Sequence, residues 1–71
     1  MRIKPYGKSE LAMLYAGEQI MTPQGALNRL NEWMRRNPAL WQALMESGYQ
    51  VKQKIFTSYQ VRLIVEYLGE P

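Results

Sequence analysis

The sequence predicts a mainly α, small single domain of about four helices, two of them joined as a helix-turn-helix, with a short extended strand or hairpin before the last helix. Three observations carry that expectation. Residues 22–36 place Ala26, Leu27, Leu30, Trp33 and Met34 on one side of a helical wheel, with Asn28, Arg29, Glu32, Arg35 and Arg36 on the other. Residues 57–68 repeat the pattern with Val61, Ile64, Val65 and Leu68 at the i, i+3, i+4, i+7 spacing. Between them, residues 49–56 change to a period of two.

Composition limits what such a domain can do. A chain of 71 residues with 46% hydrophobic and 21% charged content supports one core and no second domain. At this size only about 60% of the unfolded surface is buried, so each large apolar side chain matters to stability. Without cysteine or histidine there is no disulfide, no zinc site of the usual ligands, no thiol nucleophile and no imidazole base. The six acids are all glutamate and no two form a paired site on a shared apolar floor, so neither a metal nor another cofactor is expected and the chain does not read as an enzyme. The longest apolar run, Leu11 to Ala16, is too short for a membrane span or a signal-peptide core, which reads as a cytoplasmic protein with no membrane partner.

The elements follow in order. Residues 1–8 carry Arg2, Lys4 and Lys8 and are punctuated by Pro5 and Gly7, which predicts an extended basic arm anchored by Tyr6. Arg2 and Lys4 read either as groove or phosphate contacts or as a solvated terminus. Ser9 is a suitable N-cap for a short helix that offers Leu11, Ala12, Leu14 and Tyr15 for packing and ends at Gly17. The turn from Gly17 to Thr22 is longer than the usual three or four residues of a DNA-binding helix-turn-helix, and Ile20 within it should point inward.

Thr22 can cap the central helix, Pro23 suits its first position, and Asn37-Pro38 stops it. Gly25, unfavourable by up to about 1 kcal/mol against alanine, suggests a close approach by another backbone, either the first helix or a phosphate strand. Asn37 and Pro38 then open a third helix with Leu40, Trp41, Leu44 and Met45 on its apolar side. Gly48 closes it, and Tyr49 follows in position to cover Leu44. Trp33 and Trp41, at helical apolar positions, are read as core. Tyr49, Val51 and Ile55 face one way along the extended stretch and Gln50, Lys52 and Lys54 the other; no turn dipeptide marks a hairpin within it. Thr57 with Gln60 forms a capping box for the last helix, residues 58–68, with Phe56 stapled onto Val61, Leu63 and Tyr67 widening the apolar stripe, and Gly69 closing it.

Nine Lys and Arg against six Glu give a net charge of +3, which permits a polyanionic partner without requiring one. Tyr6 through Ala12, Leu30 with Trp33, Gly48-Tyr49, Phe56-Thr57, Gln60-Val61, Leu63-Ile64 and Leu68-Gly69 resemble a family of short bacterial proteins described as a domain of unknown function. More distantly, a helix-turn-helix bearing Arg and Trp, followed by an extended piece and a last helix, resembles the excisionase and MerR-type winged-helix DNA-binding domains, in which the second helix enters the major groove. That resemblance implies a winged-helix-like domain binding double-stranded DNA in a transcriptional or recombination accessory role. It places Gln24, Asn28, Arg29 and Glu32 near base edges and Arg35, Arg36, Lys52 and Lys54 near phosphates. The competing expectation is a module that binds another protein or a second copy of itself, its charges serving only solubility. A positive stripe over Arg29, Arg36 and Lys54 would favour DNA, and an exposed patch containing Trp41 or Tyr59 a protein.

Overall fold

The computed structural model describes residues 1–19 and 21–71; Ile20, expected to point inward, lies outside the described residues. In chain order the elements are β1 (Tyr6–Gly7), α1 (Lys8–Ala16), α2 (Pro23–Arg35), α3 (Pro38–Glu46), β2 (Ile55–Phe56) and α4 (Ser58–Leu68). α1 packs most extensively on α2, α2 meets α3, and α3 meets α4.

Local chemistry sets most of the helix ends. The Thr22 hydroxyl accepts from the Gly25 amide at 3.0 Å, and the Asn37 carbonyl oxygen accepts from the Leu40 amide at 3.1 Å, each followed by a proline at the first helical position. At α4 the box is complete: Thr57 Oγ1 accepts from the Gln60 amide and Gln60 Oε1 from the Thr57 amide. α3 ends in a Schellman motif. The Tyr49 amide donates to Leu44 O and the Gly48 amide to Met45 O, both at 3.1 Å, with Gly48 at φ 87°, where a side chain would be strained. Gly17 and Gly69 close α1 and α4 as expected.

α1 begins differently from the sequence expectation. Its N-cap is Gly7, two residues before Ser9, and the Gly7 amide donates to Glu10 Oε1 at 3.2 Å. The reason is the strand before it. β1 pairs antiparallel with β2, Tyr6 opposite Phe56 and Gly7 opposite Ile55, and the Lys8 amide continues the ladder to Lys54 O at 2.9 Å. The helix therefore starts where the ladder stops.

The same pairing changes the reading of the arm and of residues 49–56. The extended stretch is confined to β2, its partner is the arm, and residues 49–54 are a loop containing a turn closed by Gln53 N to Gln50 O at 3.0 Å. No wing forms within them. The turn breaks the alternation, so Tyr49 is buried while Val51 and Ile55 are 54% and 58% exposed. Lys8, counted with the arm's cations, belongs to α1 and is buried.

The core gathers Leu11, Leu30, Met34, Leu40, Leu44, Phe56, Val61 and Ile64, all essentially without solvent contact, with Tyr6 and Tyr49 at its margin. Phe56 and Val61, the expected staple, are both within it. Tyr49 stacks on Phe56 with ring centres 5.6 Å apart. Trp41 is half-buried and meets Tyr49 edge-on, but Trp33 is at the surface, edge-on to Tyr15, so the core assignment of Trp33 is corrected. It occupies the margin of the α2 stripe, beside the buried Ala26, Leu30 and Met34. Leu14 and Tyr67 are likewise exposed. α1 buries Lys8, Leu11, Ala12 and Ala16, leaving Leu14 on the outer side, and Tyr67 lies in the last turn of α4.

Candidate functional site

Burying Ala26, Leu30 and Met34 turns the opposite side of α2 to solvent. That side carries Gln24, Asn28, Asn31, Glu32, Arg35 and, just past the helix, Arg36. Most of these line an open depression of about 540 Å³ formed by Asn28, Asn31, Glu32, Arg35 and Arg36. Gln24 Nε2 donates to Asn28 Oδ1 at 3.0 Å, one turn along. Glu32 and Arg36 form an exposed ion pair at 2.5 Å, a geometry that orients both side chains and adds little stability. The Arg35 guanidinium lies 5.9 Å from the centre of the Trp41 ring.

Arg29 is placed apart from the others. It sits at the edge of this face, donates to Gln19 Oε1, lies 3.7 Å from Met21 Sδ and covers the Trp33 ring at 5.5 Å. Its guanidinium braces the α1–α2 turn against Trp33. Gly25 also has a local explanation. A side chain there would come within 3.1 Å of Thr22 Oγ1, so the close neighbour is the helix's own capping hydroxyl and not a second backbone.

Lys52 and Lys54 are exposed on the loop between α3 and β2. A second depression of about 340 Å³, shared by Lys8, Ser9, Leu27 and residues 51–54, brings that loop beside the Leu27 edge of α2. Two devices hold it there. Lys8 Nζ donates to Val51 O at 2.9 Å, its charge sheltered by the faces of Tyr49 and Phe56 at 5.0 and 5.8 Å. From the other side, Gln53 accepts from the Gln50 amide and donates to Ile55 O and to Gln60 Oε1, the last at 2.6 Å. Gln60, 2% exposed, donates in turn to Ser47 Oγ at 3.1 Å, and Ser47 donates to Leu44 O. One buried amide thus links α3, the loop and α4. Among the described residues every buried side-chain nitrogen and oxygen has a partner.

The structure therefore brings Gln24, Asn28, Glu32, Arg35 and Arg36 onto one face, places Lys52 and Lys54 on a loop beside the Leu27 edge of the same helix, and engages Arg29 with Gln19, Met21 and Trp33. Sequence reasoning passed over Asn31, although it stands three residues after Asn28 and seven after Gln24, the spacing of one helix face. It also missed the supporting roles of Lys8, Gln53 and Gln60, which depend on contacts between distant parts of the chain. Of the two aromatic residues that would mark a protein-binding patch, Tyr59 is 58% exposed and Trp41 lies under Arg35.

Elsewhere, Tyr15 donates to Gly69 O at 2.6 Å, and burial, assisted by the Glu70 charge, pushes its hydroxyl pKa up to about 12. Among the described residues no three His, Cys, Asp or Glu side chains gather as metal ligands, and no helix is long and apolar enough to cross a membrane.

No curated protein and no solved structure matches the chain. A family model described as domain of unknown function DUF4248 matches residues 2–71, nearly the full sequence that carried the resemblance to such a family, and the chain belongs to it.

Proposed function

We propose that the protein binds double-stranded DNA with α2 as the helix presented to the major groove, in a transcriptional or recombination accessory role. The observation that supports this reading is the composition of the outward face of α2. It combines three amides, Gln24, Asn28 and Asn31, with the guanidinium groups of Arg35 and Arg36 at its far end and the ammonium groups of Lys52 and Lys54 on the flanking loop. Amides read base edges, and cations at the margins meet phosphates. The one carboxylate on the face, Glu32, is neutralised by Arg36. In this reading Arg29 supports the turn and does not contact bases.

Fluorescence anisotropy with a random duplex pool across a salt series tests the proposal. Affinity should fall steeply with salt, and Arg35→Ala and Lys54→Ala should each flatten the logarithmic slope by about 0.9, the value for one lost phosphate contact. Absence of salt-dependent binding by the parent protein would overturn it.

A second reading, a protein-binding or self-associating module, is favoured by the exposure of Val51, Ile55 and Tyr59 around β2 and the start of α4. Sedimentation analysis distinguishes it: a dimer lost in Tyr59→Asp would support association through this surface, and a monomer at all concentrations would exclude self-association.

A further inference from the structure

We infer that the amino-terminal half of α2 selects adenine in the major groove, through the Gln24–Asn28 amide pair; the inference rests on the DNA-binding reading above. Gln24 is the second residue of α2, at the end that points towards base edges when such a helix enters the groove. Its side chain is exposed, and one proton of its NH2 group is committed to Asn28 Oδ1 at 3.0 Å. Among the described residues Oε1 has no partner, and when the proton given to Asn28 is the one remote from Oε1, the remaining N–H and Oε1 lie side by side on one planar amide. Adenine offers the matching pair in the major groove, an acceptor at N7 and a donor at N6. Guanine offers two acceptors, N7 and O6, and would set O6 against Oε1.

The hydrogen bond also differentiates the two amides. Asn28 has given its oxygen to Gln24, so it presents its NH2 group, which suits the acceptor O4 of thymine or N7 of a neighbouring purine. Asn31 extends the amide surface beside Asn28. Guanine is read best by a forked cation, and this end of the helix has none to offer. Arg29 is engaged by Gln19, Met21 and Trp33. Arg35 stands eleven positions from Gln24, roughly 16 Å along the axis at 1.5 Å per residue, and covers Trp41.

The test uses the full chain on duplexes selected from a randomised pool, then remade with 7-deazaadenine at the selected adenines. That base keeps Watson–Crick pairing and replaces N7 by a carbon. The inference expects A·T enrichment and roughly a 5- to 150-fold preference for the selected duplex over a G·C-substituted one, the range for one bidentate base contact. The preference should be lost in Gln24→Ala, and weakened with 7-deazaadenine, which removes one of the two bonds, and in Asn28→Ala. Gln24→Arg should shift selection towards guanine. Both exposed positions should leave thermal unfolding close to that of the parent, which checks that each variant is folded. Salt-dependent binding without adenine preference, or a preference untouched by 7-deazaadenine, would overturn this inference and leave the DNA-binding reading standing. No salt-dependent binding to any duplex would overturn both.

Discussion

Three single side chains show how placement changes what a residue type does. Lys8 looks like a surface cation in the sequence, yet its ammonium group is buried against Tyr49 and Phe56 and satisfied by Val51 O. Lys8→Met keeps most of the apolar stem and removes the donor. It should leave helix content unchanged while releasing the loop, seen as faster amide exchange at Gln53, whose N–H is held by Gln50 O. Gln60 is the capping-box residue that the sequence indicates; its Oε1 accepts from Gln53 as well as from the Thr57 amide, and its Nε2 donates to Ser47 Oγ. Gln60→Leu, similar in volume, should lower stability by about 1–3 kcal/mol in denaturant titration, because it strands the partners of a buried polar group. Tyr15 provides a pH signature. Its folded pKa of about 12 lies above the ordinary 10.0, so the folded state favours the protonated phenol. The associated stability is fully present below pH 10 and is lost as pH rises towards 12. Absorbance titration of tyrosinate should show this late step in the parent and not in Tyr15→Phe.

At the scale of elements, what was legible in the sequence was what is decided within a few residues. Thr22, Asn37 and Thr57 each bond an amide three residues on, and Gly48 with Tyr49 completes a local motif, so the limits of α2, α3 and α4 could be read from residue type and order. Five of the six α2 side chains expected at the site share its outward face for the same reason. The exception, Arg29, depends on where the turn carries Gln19 and Met21, which helical periodicity does not encode. α1 shows the same limit, since its start is set by a strand partner far along the chain and not by Ser9. α2 also supplies a test of its own cap. Thr22→Ala should cost about 1 kcal/mol. Gly25→Ala alone should gain less than its full helix-propensity benefit of up to about 1 kcal/mol, because its methyl group crowds Thr22 Oγ1 at 3.1 Å. With Thr22→Ala already present the crowding is gone, so the second change should stabilise more. Thermal unfolding of the four proteins should therefore be non-additive; additivity would mean that the methyl group and the hydroxyl do not meet.

For the whole molecule, stability depends on one core that draws on every helix. Ile64 is without solvent contact, and Ile64→Asp would put a carboxylate there with no partner, so the cooperative melt followed by circular dichroism should be abolished. A smaller lesion, Tyr6→Ala, should cost about 3 kcal/mol or more, since Tyr6 is only 8% exposed and packs within the same cluster. That the arm joins the core was partly visible in Tyr6, but its partner was not, because nothing in residues 1–8 names Phe56. The pairing also bears on how the molecule is made. Tyr6 and Gly7 leave the ribosome ahead of the three helices that follow them, and Ile55 and Phe56 emerge only after those helices have been synthesised. Until then the opening segment has no strand to join and Lys8 no aromatic faces to shelter its charge. A nascent chain arrested before Ile55 can form the local contacts of α1 with α2, but its arm should remain sensitive to protease, and protection should appear in one step once β2 emerges and the loop closes.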